Sequence, residues 1–238
     1  MAAAHISTML SVPLFEITAE FGLRACGYGY RLHGQSPLSG PLVVVEDSVN
    51  TGNSITKVKA KAPRGSLFAA VFVNPPNRGC VDYYGELHSF PHFFSWHFPG
   101  SSLVTQAAFD MDGVICEECP PDCDDDGPKY ENFLRTVRPF LLPRPHVVPL
   151  IVTARMEKYR DLTEDWLRSH GIRWSRIVMG PWGSLEERRA RFNAGEFKGE
   201  EFRQSGLNFF LESCPVQARA IADYSGKIVI CPPSGQVF

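Results

Sequence analysis

The feature that most constrains this chain is a short apolar run followed by two carboxylates and a hydroxyl-rich turn. Residues 42–45 are all apolar, which predicts a buried parallel strand. Glu46 and Asp47 follow it directly, at the carboxyl end, where open α/β sheets bind their ligands. The next turn opens a predicted helix, and with the acidic pair upstream an anion site is favoured over an ordinary helix cap. The turn residues are Thr51, Gly52, Asn53 and Ser54.

This segment resembles the PRPP-binding signature of type I phosphoribosyltransferases. The resemblance implies that Glu46 and Asp47 hold the 2′ and 3′ hydroxyls of ribose, and that the turn 51–54 holds its 5′-phosphate. Asn50 stands where purine-salvage members carry an Asp that serves as base, and Asn cannot take up a proton at neutral pH. A purine acceptor is therefore disfavoured. The resemblance also implies a homodimer.

The sequence shows no clear apolar strand and loop before Leu10 for the pyrophosphate of PRPP. Either that strand was lost, or the chain starts downstream of the true start. Both interpretations favour a segment that binds the phosphate without completing the transfer. Residues 1–8 receive no predicted structure, and Pro13 makes 10–17 a poor helix interior or central strand.

A second apolar run, 107–109, also ends in carboxylates, here Asp110 and Asp112 two residues apart. Phosphoryl transfer to a carboxylate needs a nucleophile, a divalent cation beside it and a nearby acid. An Asp-x-Asp-Gly segment brings these groups close together, although Asp and Gly are also common in plain turns. The segment alone is therefore a weak signal.

Later features of the same half strengthen that signal. Two further apolar runs end in Thr153 and in Glu212, and a basic residue, Lys198, lies between them. Arg191 is an alternative for the basic position. This order resembles that of the haloacid dehalogenase (HAD) superfamily of Mg²⁺-dependent phosphohydrolases, over roughly residues 105–231.

The HAD resemblance implies a role for each of these residues. Asp110 would be the nucleophile and Asp112 the general acid. Thr153 and Lys198 would orient the phosphoryl group. Glu212 would complete a Mg²⁺ site together with Asp110 and Asp112.

The segment between Asp112 and Thr153 holds only ~35–40 residues, fewer than a cap domain of ordinary size needs, so an open site is expected. Its acidic stretch is interpreted as a solvated loop, with help in holding Mg²⁺ as the alternative. The four aspartates concerned are Asp122, Asp124, Asp125 and Asp126. The cysteines Cys116, Cys119 and Cys123 could bind zinc with a distant fourth ligand, but chance cysteines in a loop are favoured.

These patterns predict an α/β protein of two domains. An incomplete phosphoribosyltransferase-like parallel sheet covers 1–100, and a HAD-like Rossmannoid domain with a minimal cap covers 103–238. The boundary is placed near 99–102, after an aromatic stretch, 90–99, that is interpreted as a core plug or wedge rather than a ring-binding surface. A further parallel strand is predicted at 67–73. Helices are predicted at 55–62, 129–138, 155–170 and 215–224.

Composition excludes several classes of partner. The formal net charge of −2 and the absence of a basic stripe exclude a nucleic-acid surface. No apolar run approaches the ~20 residues that span a bilayer. Seven cysteines and no signal peptide indicate a reducing, cytoplasmic setting. The expected partner is a small phosphorylated molecule, PRPP or a nucleotide.

The leading interpretation is a phosphoribosyltransferase-like protein with a Mg²⁺-dependent HAD phosphatase that acts on a phosphoribosyl or nucleotide-type ester. The alternative is a HAD phosphatase regulated by a non-catalytic domain that senses PRPP or a nucleotide. A third possibility, an interaction protein with two degenerate sites, is disfavoured by the Asp110, Asp112 and Thr153 set.

Overall fold

The computed structural model describes residues 2–10, 12–18, 22–26, 40–89 and 98–238. The protein is mixed α/β with parallel sheets, and its chain forms two compact units, Met1–Phe93 and Phe94–Phe238. The aromatic stretch predicted to be a wedge lies almost entirely outside the described residues. No helix in the described ranges is long and apolar enough to cross a bilayer.

Within its described residues, the first unit contains two α-helices and five strands. In chain order they are α1 (Ala2–Leu10), β1 (Phe15–Ile17), β2 (Leu23–Ala25), β3 (Val43–Val49), α2 (Asn53–Lys59), β4 (Leu67–Val73) and β5 (Tyr83–Leu87). β1 and β2 form an antiparallel pair, and β3, β4 and β5 form a parallel sheet in that order. The strand predicted at 67–73 is therefore confirmed, whereas the N-terminal residues that received no predicted structure form α1.

β3 differs from its prediction at the carboxyl end. The strand continues through Glu46 and Asp47, because Ser48 and Val49 still pair with β4 and Val49 is buried in the core of this unit. The two carboxylates therefore lie inside the strand on alternate faces, and the prediction that they follow its end is wrong. The helix predicted at 55–62 begins earlier and ends earlier, as α2.

The second unit is built on a six-stranded sheet. Its strands are β6 (Ala107–Phe109), β7 (Val147–Met156), β8 (Arg173–Gly180), β9 (Phe209–Leu211), β10 (Ile228–Cys231) and β11 (Gln236–Val237). The helices are α3 (Pro128–Thr136), α4 (Arg160–Ser169), α5 (Leu185–Arg191), α6 (Glu200–Gln204) and α7 (Pro215–Ser225), with a π-helical turn at Gly195–Gly199. The spatial order is β11-β10-β9-β6-β7-β8, parallel except for β11.

The apolar runs of this half form the centre of the sheet. All three residues of β6 are fully buried, and the strand pairs with β7 on one side and β9 on the other. The helices predicted at 129–138 and 215–224 are confirmed, within one or two residues, as α3 and α7. The helix predicted at 155–170 starts late: β7 runs past Thr153 to Met156, a 3₁₀ turn follows, and α4 begins at Arg160.

Candidate active site

Three polar side chains meet at one edge of the six-stranded sheet. Asp110 directly follows β6, Thr153 lies near the end of β7, and Glu212 directly follows β9. Because these strands are parallel neighbours, their carboxyl ends lie at the same edge. All three residues are buried, with 6%, 1% and 1% of their surface exposed, respectively. A buried polar group of this kind needs a partner.

Lys198 is that partner for both carboxylates. Its Nζ lies 2.7 Å from Asp110 Oδ2, 2.7 Å from Glu212 Oε2 and 3.0 Å from Gln217 Oε1, so each of its three hydrogens has an acceptor. The alternative basic residue, Arg191, is instead exposed and paired with Glu187 at 2.9 Å. The structure therefore brings Lys198, and not Arg191, to the carboxylates.

The π-helical turn places Lys198 against α7. A Cβ added at Gly199 would lie 3.1 Å from Tyr224 Cβ, and one added at Gly195 would lie 3.0 Å from the Ala220 carbonyl oxygen. The two glycines therefore allow the turn to approach α7 closely. Wide turns of this type occur often at functional sites.

Asp112 is held by a different cation. Arg155 Nε donates to Asp112 Oδ2 at 2.9 Å, and Arg155 Nη2 donates to Asp112 Oδ1 at 2.6 Å. None of the Arg155 side chain is exposed, against 18% of the Asp112 side chain. Arg155 therefore binds both oxygens of Asp112, and the role of Asp112 as a metal ligand stays a prediction.

The charge balance sets Asp110 apart from an ordinary aspartate. Burial raises the pKa of Asp110 to about 8, which the Lys198 ammonium only partly opposes and the Glu212 carboxylate reinforces. Burial lowers the pKa of Lys198, but Asp110 and Glu212 outweigh it and hold that pKa above its ordinary value. One ammonium thus serves two buried carboxyl groups, and a second positive charge would be needed to ionise both.

The turn after Asp112 contacts Ser213, which in turn contacts Glu118, and the sequence assigned a role to neither residue. Gly113 has φ +75°, and a Cβ there would lie 2.4 Å from Ser213 Cβ. Ser213 Oγ lies 3.2 Å from the Asp112 carbonyl oxygen and 3.1 Å from Glu118 Oε2, and it can donate to either. Burial raises the pKa of Glu118, and Asp112 adds to that shift. The Asp-Gly turn is therefore closed by Ser213, directly after Glu212.

The described part of the chain holds no group of three or more His, Cys, Asp or Glu side chains placed to bind a metal ion. Mg²⁺, however, is usually held by one or two carboxylates, with water and substrate phosphate completing its shell. Asp110 and Glu212 meet that smaller requirement, since both lie within reach of a single cation, Lys198 Nζ. The donor set formed by Asp110 and Glu212 is therefore compatible with Mg²⁺.

The acidic loop is solvated only in part: Asp122 and Asp125 are exposed, but three of its four aspartates also form contacts within the unit. Arg188 Nη2 donates to both oxygens of Asp124 at 2.8 and 2.6 Å. Asp125 Oδ1 accepts from the backbone at the start of α3. Asp126 accepts from Tyr159 Oη at 2.7 Å and from the Leu185 backbone N–H at 3.2 Å. These contacts also leave the three carboxylates engaged away from Asp110.

The cysteines near this loop do not form a cluster of metal ligands in the described residues. Cys116 is buried, and its Sγ lies 3.2 Å from Arg155 Nη2 and 3.5 Å from Asp112 Oδ1. Burial raises the pKa of the Cys116 thiol, and Asp112 adds to that effect. Cys116 thus packs around the Asp112–Arg155 pair as a neutral thiol, while Cys119 and Cys123 are half-buried.

In the first unit, the turn predicted to bind phosphate, 51–54, and the acidic pair before it are only partly buried. Gly52 caps α2 with φ +77°, and a Cβ there would lie 2.8 Å from Cys80 Sγ. Burial raises the pKa of Glu46, Asp47 adds to the shift, and a hydrogen bond from Ser54 opposes it. The structure brings Glu46 and Ser54 together, whereas Asp47 is exposed, as are Thr51 and Asn53.

Comparisons with family models, with curated proteins and with solved structures find no match to this chain. The chemistry of the site is therefore inferred from its own geometry.

Proposed function

We propose that the second unit hydrolyses phosphate monoesters through a covalent intermediate on Asp110, in the manner of HAD phosphohydrolases. The observation that carries this proposal is the buried arrangement of Asp110, Lys198 and Glu212 at the carboxyl edge of the sheet. A carboxylate held beside an ammonium, with a hydroxyl on the neighbouring strand, is suited to receive a phosphoryl group.

The side chains divide the reaction between them. An oxygen of Asp110 attacks phosphorus, and the bond from phosphorus to the leaving oxygen breaks. Asp112 gives that oxygen a proton, and a water molecule later hydrolyses the aspartyl phosphate while Asp112 takes a proton back. Lys198 and the Thr153 hydroxyl bind phosphoryl oxygens; Thr153 Oγ1 accepts from the Arg155 backbone N–H at 3.2 Å, which leaves its own proton to donate.

Mg²⁺ would be held by Asp110 and Glu212. When bound, it supplies positive charge beside the transferring phosphoryl group. That charge also favours the ionised form of Asp110, whose pKa burial otherwise raises to about 8. An ionised Asp110 is the form that can act as nucleophile.

For the first unit we propose binding of a phosphoribosyl compound, by the resemblance of its acidic pair and turn to a PRPP site. One observation favours the regulatory alternative over transfer. Among the described residues, no parallel strand precedes β3 in its sheet, since β1 and β2 form a separate antiparallel pair. PRPP would then change the phosphatase rate without being consumed.

The test is Mg²⁺-dependent release of phosphate from a panel of sugar phosphates and nucleotides, with and without PRPP. Asp110→Asn should abolish the release, whereas Asp165→Asn, which removes an exposed carboxylate of α4, should leave it within about twofold. Release that survives Asp110→Asn would refute the covalent mechanism. Consumption of PRPP would refute the regulatory role and support phosphoribosyl transfer by the first unit.

A further inference from the structure

We propose that Arg155 is a positioning residue for this reaction, which holds the acid Asp112 in place and does not itself bind the phosphoryl group. The inference rests on the proposed phosphatase function. A cation so near a phosphate site has two possible uses, to bind the phosphate or to hold a catalytic carboxyl group. The contacts of Arg155 decide between them.

The guanidinium is committed to protein groups on several sides. Two of its N–H groups reach the two oxygens of Asp112, at 2.9 and 2.6 Å. Nη2 also reaches Cys116 Sγ at 3.2 Å, and Nη1 lies 3.4 Å from Thr163 Oγ1 on α4. With none of its side chain exposed, Arg155 would have to leave a buried charge behind in order to reach a substrate.

The geometry also explains why an arginine suits this position. Nε and Nη2 each bind a different oxygen, so the plane of the carboxyl group is fixed by two bonds. When one oxygen of Asp112 carries a proton, the other can still accept from Arg155. The carboxyl group therefore keeps its orientation while it gives its proton to the leaving oxygen.

Asp110 has a contrasting set of contacts. Lys198 gives it one hydrogen bond and gives others to Glu212 and Gln217, so no rigid pair is formed. The nucleophile Asp110 is thus paired with the Lys198 ammonium, which does not fix its orientation. The acid Asp112 is paired with the planar guanidinium of Arg155. This division predicts that loss of Arg155 impairs the step that protonates the leaving group, and spares phosphate binding.

The test is a double-mutant cycle of Asp112→Asn, Arg155→Met and the double variant, assayed with Mg²⁺ on p-nitrophenyl and p-methylphenyl phosphate. The two esters have nearly the same shape, but only the second has a leaving group that needs a proton. Arg155→Met should lower kcat on p-methylphenyl phosphate by about 10²–10⁴-fold and much less on p-nitrophenyl phosphate. The double variant should be no worse than Asp112→Asn alone. Inhibition by inorganic phosphate should change by less than about threefold.

Several results would overturn the inference. Losses that multiply in the double variant, equal losses on both esters, or inhibition by phosphate weakened more than about tenfold would place Arg155 on the substrate. A wild-type protein that releases no phosphate from either ester or from the wider panel would overturn the proposed function together with this inference. Activity that depends on Asp110 but shows multiplying losses would overturn this inference alone.

Two further variants separate positioning from folding. Arg188→Met removes a similar two-bond pair, with Asp124, that lies outside the Asp110 site, and so reports what a comparable loss of stability does to kcat. Arg155→Lys keeps the positive charge but loses the pair of N–H groups that bind the two oxygens of Asp112. It should fold even if Arg155→Met does not. It should show the same dependence on the leaving group; equal losses on both esters in a folded Arg155→Lys would count against positioning.

Discussion

In the second unit, β6 is three residues long, lies between two parallel neighbours and stops just before Asp110. In the first unit, β3 is seven residues long, lies at the edge of its described sheet and runs through Glu46 and Asp47. Both segments read in sequence as an apolar run with an acidic pair. Among the residues that the structure describes, only the second pair contacts buried cations, Lys198 and Arg155. The difference teaches that the neighbours of a strand, and not its own residues, decide whether its carboxylates face a closed site.

Removal of a buried cation should have the largest effect on stability. Lys198→Met leaves Asp110 and Glu212 buried without a positive charge, and should lower the free energy of unfolding by about 3–5 kcal/mol. Urea unfolding followed by tryptophan fluorescence measures this, because Trp166, Trp174 and Trp182 lie in the described part of the second unit. The exposed Lys129→Met is the control, expected within about 0.5 kcal/mol of wild type. If Lys198→Met and Lys129→Met lowered the free energy of unfolding equally, the buried cation would be no more important to stability than an exposed one.

The pH dependence tests the same site without a mutation of the cation. The pKa of Asp110 in the folded protein, about 8, lies above its unfolded value of 3.8, so the proton stabilises the fold. That stabilisation is fully present below pH 3.8 and is lost as pH rises through 8. In EDTA, the free energy of unfolding should fall by a few kcal/mol across this window relative to Asp110→Asn. Parallel curves for the two proteins would contradict the raised pKa.

Lengthening one carboxylate in each unit compares the two environments directly. Asp110→Glu moves the carboxylate by one methylene in a packed, buried site, and should lower kcat for phosphate release by about 10²-fold. Asp47→Glu adds the same methylene at an exposed position of β3 and should change the stability of the first unit by less than about 0.5 kcal/mol, as measured by hydrogen exchange. A small effect at Asp110 would mean that the site is looser than its contacts indicate.

Replacement of the glycine in the turn after each acidic pair, Gly113 or Gly52, by alanine should give the smallest difference in stability between the two units. Gly113 and Gly52 both have positive φ, so alanine is strained at each by roughly 1–2 kcal/mol. At Gly113 the new Cβ would also meet Ser213 Cβ, which moves only with the backbone, whereas at Gly52 it would meet the end of the Cys80 side chain. Gly113→Ala should therefore destabilise its unit more than Gly52→Ala, as hydrogen exchange of each unit would show. The reverse order would contradict the closed turn at Ser213.

Periodicity and apolar runs predicted the buried elements, because burial on both faces leaves a continuous apolar signal. β4, β6, β7 and β9 follow from it, as do α3 and α7. β8 gives no such signal, since it lies at an edge of the sheet and carries Arg173 and Arg176. Its position could be fixed only by its pairing with β7.

The same limit applies to the site. Strand ends predicted which residues share an edge of the sheet, but partners distant in sequence leave no local signal. Asp112 and Arg155 are 43 residues apart, and nothing in either segment identifies the other. One available clue was spacing: Arg155 stands two residues after Thr153, as Asp112 stands two residues after Asp110.

The separation in sequence between Lys198 and Asp110 has a consequence for the order in which the second unit folds. Lys198 is 88 residues from Asp110, and Ser213 is 101 residues from Asp112. Contacts so distant close late in folding, because the chain must lose much of its freedom before they form. During synthesis, a chain that has not yet released residue 213 from the ribosome carries Asp110 without its full set of partners. The second unit must therefore be nearly complete before its candidate nucleophile can be buried.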